Sequence, residues 1–85
     1  STHFRVVASH HLISLVSNRR YLWVAEQLPL LRQDQLPVFL FVETSVFENP
    51  NDYEYRNFRW ALDKGNCISI LDTPGLRLVR FDGVE

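Results

Sequence analysis

From residue 37 onward the hydrophobic positions fall into separate runs with turn residues between them; before it they are scattered without one clear period. The segment Asn49-Pro50-Asn51-Asp52 offers a turn and a capping residue, and Glu54 adds negative charge where a first helical turn would lie. Tyr55, Phe58 and Leu62 then recur at steps of three and four, which predicts a helix over 52–64 with one apolar stripe. Lys64 suits its last turn, and Gly65 offers a left-handed stop. Trp60 lies off the stripe's centre and either widens the buried face or is presented to a partner. Residues 38–42 are apolar on both alternating faces, as a central strand covered on each side would be. Residues 67–71 predict a second strand, Asp72-Thr73-Pro74-Gly75 a turn, and 76–81 a third strand ending at Asp82-Gly83.

The first third admits two patterns. Residues 4–8 are expected to form a strand. Residues 10–28 favour a helix, with Leu12, Leu15, Val16, Leu22 and Trp23 near one face and Arg19 interrupting the stripe. The alternative is a hairpin of 12–17 and 21–26 turning at Asn18-Arg19, where arginine is a poor second turn residue. The helix is preferred because a strand buried on both faces needs cover on each. Leu28-Pro29 ends it, and Gln33-Asp34-Gln35 is a polar connection. The expected order is β-α-β-α-β-β in a small α/β domain with a mixed sheet; the alternative is an α+β domain with an N-terminal hairpin and a single helix at 52–64.

Eighty-five residues suffice for one domain and not for two. With 46% hydrophobic residues the chain can form a core, and eleven aromatics carry much of the burial. A sequence without methionine that starts at Ser1 is expected to be cut from something larger. The net charge of −1 argues against a nucleic-acid partner held by phosphate neutralisation. Eight of the nine cations are arginine, a bias that suits polar protein interfaces. Cys67 is the single cysteine, which excludes an internal disulfide and a CxxC redox pair. No apolar run approaches a membrane span, so a soluble, cytoplasmic domain without a membrane partner is expected.

The stretch Asp72-Thr73-Pro74-Gly75-Leu76-Arg77-Leu78-Val79-Arg80-Phe81-Asp82-Gly83 resembles the thioredoxin-like fold. Proteins of that family carry a Thr-Pro or Val-Pro step with a cis proline, followed by an apolar hairpin strand ending in a glycine turn. The resemblance implies a cis Thr73–Pro74 bond packed near Ser9 and Leu12, beside a groove. It also places the family's redox cysteines at Ser9-His10-His11-Leu12, where this chain has none, so thiol–disulfide exchange is absent. Cysteine-free members commonly serve as docking modules.

Other constellations each have an ordinary structural role beside a chemical one. Glu43 and Asp72 each follow an apolar run, and if those strands were neighbours both carboxylates would emerge at one sheet edge, as a magnesium site requires. Solvation of Glu43 and a turn hydrogen bond to Asp72 is the simpler reading. The run Val42-Glu43-Thr44-Ser45-Val46-Phe47 faintly resembles the opening of PIN-type nucleases, but too little chain follows to supply their other acids. His3, His10 and His11 do not converge on a metal by spacing. Arg56, Arg59, Arg77 and Arg80 are interleaved with acids and suit a protein interface better than a phosphate track.

The function expected from these features is non-catalytic: a protein-interaction domain, docking a partner or a second copy, without cofactor. Its candidate binding residues are Ser9, His10, His11, Trp60, Thr73, Pro74, Arg77 and Arg80. The alternative is a metal-dependent or small-molecule enzyme module using Glu43 and Asp72.

Overall fold

The computed structural model describes residues 5–16 and 21–84. Its strands are β1 (Arg5–Ala8), β2 (Tyr21–Trp23), β3 (Val38–Glu43), β4 (Gly65–Asp72) and β5 (Leu76–Val84). Its α-helices are α1 (Ile13–Val16), α2 (Ser45–Glu48) and α3 (Tyr55–Lys64). Single 3-10 segments cover His10–Leu12, Ala25–Leu30 and Gln33–Gln35. The five strands form one mixed sheet in the order β2-β1-β3-β5-β4. β1 runs parallel to both β2 and β3, whereas β5 runs antiparallel to β3 and β4. The small α/β domain with a mixed sheet is therefore the observed class.

β3 forms where the sequence is apolar on both faces, and its residues alternate between buried and half-buried. Val38, Leu40 and Val42 point into the main core with Val7, Val79 and Phe81. Phe58 and Ala61 of α3, Leu28 and Ala25 of the 3-10 segment, and Val46 of α2 cover that face. The stripe of α3 thus buries Phe58 completely, which removes one large ring from water, roughly 2–3 kcal/mol of favourable transfer. The helix itself starts later than the sequence pattern implies. Asp52 accepts the Glu54 N–H at 2.8 Å in a local turn, and regular helix begins at Tyr55.

The helix expected over 10–28 is not formed. In its place stand a 3-10 turn, the four residues of α1, the short strand β2 and a second 3-10 segment; residues 17–20, with the turn of the alternative hairpin, lie outside the described residues. The reason is non-local. Tyr21, Leu22 and Trp23 find their backbone partners on Arg5, Val6 and Val7, in parallel register, so neither a helix nor a hairpin satisfies that segment better.

Gly65 does not supply a left-handed stop. Its backbone is extended, φ −92° and ψ 165°, so the chain passes from α3 into β4 without a loop. A side chain at this junction would run into the Phe81 ring and come within 2.6 Å of the Ala61 carbonyl oxygen. Glycine is needed here for space rather than for handedness.

The Thr73–Pro74 bond is trans; the cis bond among the described residues is Leu36–Pro37. Thr73 and Leu76 face each other across the β4–β5 turn, with Thr73 N–H donating to Leu76 O at 2.9 Å and Leu76 N–H to Thr73 O at 3.4 Å. The Thr73 hydroxyl adds a bond to the Leu76 carbonyl at 3.0 Å. Pro74 and Gly75 are simply the tip of a hairpin, and the backbone groups of Thr73 are engaged inside it.

Candidate functional site

Chain direction brings the exits of β1 and β3 together. β1 leads away toward β2 on one side and β3 toward β4 and β5 on the other, so the order switches between them, the usual position of sites in open α/β sheets. Ser9, His10, His11, Glu43, Thr44 and Ser45 gather there. Ser9 extends the ladder, its N–H bonded to Phe41 O at 2.9 Å, while its buried hydroxyl accepts the Glu43 N–H at 3.1 Å. That hydroxyl holds backbone in place and faces no base.

His10 contributes its main chain. Its N–H donates to both carboxylate oxygens of Glu54, at 3.0 and 2.9 Å. Glu54 is 4% exposed, and burial raises its carboxyl pKa, with Asp52 and Glu26 adding to the rise and the His10 N–H opposing it. Sequence reasoning placed Glu54 as a first-turn charge and missed this role, since its partner lies 44 residues away. The rings of His10 and Tyr53 meet edge-on at 6.3 Å. His11 lies out in solvent, 76% exposed, with Nδ1 3.2 Å from Glu43 Oε2. Such an exposed pair is worth well under ~1 kcal/mol.

Glu43 and Asp72 do leave the sheet at the same edge, because β3 and β4 point the same way. They are not neighbours, however. β5 lies between them, about 10 Å of sheet. The register also puts them on opposite faces: Glu43 is opposite Leu76, whereas Asp72 is opposite Arg77 in the row of Val42. The carboxylate pair needed for the magnesium reading is therefore not assembled. Among the described residues, no group of three or more His, Cys, Asp and Glu side chains converges on a metal position; His3 lies outside them.

Two of the arginines converge on the Phe47 ring, and a third lies across the sheet. Arg77 sits on the core face, its guanidinium 5.1 Å from the centre of the Phe47 ring and its Nε 3.8 Å from Asp72 Oδ1. Arg59 approaches the same ring at 5.7 Å while donating to Asp63 at 2.8 Å. Arg80 is on the opposite face, bonded to Asp82 at 3.0 Å. Each of these three faces an acid, Asp72, Asp63 or Asp82. Trp60 packs against Phe81, ring centres 6.0 Å apart, and lines a cleft of about 220 Å³ with Leu28, Leu36 and Gly83 at the far end of the sheet from Ser9.

The feature that sequence reasoning did not single out is the second sheet face. Register places Val6, Phe39, Arg80 and Ile68 in one row and Ala8, Phe41, Leu78 and Leu71 in the next. At β1 this face is buried, Val6 and Ala8 being almost wholly covered. Toward β4 it opens. Ile68 is 57% exposed, Ile70 50% and Leu71 42%. β4 is the last strand in the sheet, and no residue from Gly65 to Leu71 carries a charge. A register shift between Ser69 and Leu71 makes Ile70 the extra residue of a bulge, which crowds Ile70 and Leu71 opposite Leu78. No protein-family model, curated protein or solved structure matches this chain.

Proposed function

We propose that this chain is a non-catalytic protein-interaction domain that docks an extended, apolar segment on the β4 edge and the sheet face beside it. The observation that carries the reading is the set Ile68, Ile70 and Leu71, exposed on a terminal strand that carries no charge from Gly65 to Leu71. Sheet edges are ordinarily protected by charge, proline or cover, because their outward N–H and C=O groups recruit another strand. Such recruitment supplies main-chain hydrogen bonds for affinity and side-chain pockets for specificity. Here the half-buried Phe41 and Leu78 would extend the apolar contact inward from the edge. The separation of Glu43 from Asp72 by β5 leaves the enzyme alternative without its pair of carboxylates. The thioredoxin-like resemblance adds no support, since its groove called for a cis Thr73–Pro74 bond.

Selection of displayed peptides against the folded domain tests the reading. Extended peptides rich in β-branched and aromatic residues are expected, bound by the wild type and lost on Ile68→Lys with the fold retained by circular dichroism. Peptides that bind the Ile68→Lys variant equally well, or a selection that yields none, would refute it.

A further inference from the structure

We infer that the segment 10–16 is a flap closed under control of pH: ionisation of Glu54 loosens its hold on the His10 N–H, and the segment opens while the sheet stays assembled. The inference concerns the β1 side of the molecule and stands apart from the docking reading at β4.

The two elements joined by this contact are held unequally. Glu54 stands at the start of α3, whose Phe58 and Ala61 are wholly buried. Within 10–16, by contrast, Leu12 is the one buried residue, Leu15 is 72% exposed, and the four residues of α1 bury no side chain. Few buried apolar contacts mean a low free energy of local opening, so the segment moves and the helix does not. Ser9 is the hinge, since its N–H and hydroxyl are both fixed to β3.

Glu54 is also poorly provided for as an anion. A carboxylate offers about four acceptor sites. Here both oxygens share the His10 N–H, and at 4% exposure little water reaches them. Of the charges that face it, Asp52 from its own turn and Glu26 from Ala25–Leu30 oppose ionisation, while His10 at the exit of β1 favours it. The neighbouring Tyr53 phenol keeps its proton throughout the range in which a carboxyl titrates. The neutral acid retains an acceptor oxygen for His10 without burying a charge. In the open state Glu54 is hydrated and titrates at its ordinary value; closed, it titrates higher because of burial. Closure is therefore complete below the ordinary value. Opening grows as pH rises toward the raised value, by at most about tenfold per pH unit, and then levels off.

Amide hydrogen exchange followed by NMR from acidic to neutral pH, normalised to the intrinsic rate at each pH, tests this. The amides of His10, Leu12 and Ile13, bonded to Glu54, Ser9 and His10, report the segment. Val79, paired with Leu40 and Ser69, reports the sheet. The opening constant of the segment should rise at least about threefold across the range, with Val79 better protected throughout. Glu54→Gln should abolish the rise. His11→Gln, which removes the titrating ring of the exposed His11–Glu43 pair, should leave it in place. A rise that survives Glu54→Gln, one that vanishes in His11→Gln, or a segment that opens only together with Val79 overturns the inference.

Discussion

The backbone N–H of His10 is held by both carboxylate oxygens of Glu54, at 3.0 and 2.9 Å, across 44 residues of sequence. This contact ties the exit of β1 to the start of α3, and so sets how the principal helix lies over the sheet. Replacing Glu54 by Ala should leave the His10 N–H without its acceptor and cost about 1–3 kcal/mol of stability. Urea unfolding of the two proteins measures the difference, and an unchanged midpoint would show that the contact is dispensable.

The same carboxyl gives the protein a definite pH dependence. Burial raises the folded-state pKa of Glu54 above its ordinary value, so the folded state binds its proton more readily than the unfolded chain does. Its contribution is complete below the unfolded pKa and is lost as pH rises through the raised folded value. The stability of wild type relative to Glu54→Gln, which keeps an acceptor oxygen but does not titrate, should therefore fall from acidic toward neutral pH. Denaturant midpoints of both proteins at several pH values test this, and a difference that grows with pH would contradict it.

Phe58 occupies the centre of the core with no exposed surface. Phe58→Ala should cost about 3–5 kcal/mol, a large fraction of the stability of a domain this size. Thermal unfolding decides it, and a variant that melts with the wild type would mean that α3 packs by another face.

At the α3–β4 junction the shortage of space makes a sharper case. Gly65→Ala must displace the Phe81 ring or bend the chain away from the Ala61 carbonyl, and overpacking of this kind costs about 1–3 kcal/mol. An alanine variant as stable as the wild type would show that the ring has room to move.

Cys67 donates its thiol to the Ala61 carbonyl at 3.3 Å, and burial raises its pKa. Its thiolate fraction at neutral pH is correspondingly small, so labelling by an aromatic disulfide should be slow in native buffer and fast in denaturant. Equal rates in the two would overturn this account of the thiol.

Legibility of the fold in the sequence followed the range of the interactions. The strand at 38–42, the stripe of Phe58 and Leu62 and the turn at Pro74-Gly75 are local patterns, and all three are found where the periodicity puts them. β2 is three residues long and exists because Arg5, Val6 and Val7 lie alongside it, which no window of sequence reports. The local pattern points to a left-handed stop at Gly65, whereas the crowding that requires glycine there comes from Phe81, sixteen positions away. At the candidate site the sequence pattern sets Ser9 and His10 beside Thr73 and Pro74 and sets Glu43 beside Asp72; that Ser9 instead meets Glu43 depends on the pairing of β1 with β3, which no local pattern reports. The hydroxyl of Ser9 and the N–H of His10 serve as fasteners, and the receptive surface is a strand whose apolar residues suggested burial.

The two-residue link at Pro74-Gly75 also sets an order of events in folding. β4 and β5 are joined by a tight turn and can pair within microseconds, whereas β1 must find β3 across twenty-nine intervening residues. The hairpin therefore presents Ile68, Ile70 and Leu71 to solvent before the remaining strands have assembled, and a nascent or refolding chain carries a sticky border for longer than the finished one. Loss to aggregates on refolding should consequently rise steeply with concentration and be relieved by a lysine at position 68 or 70.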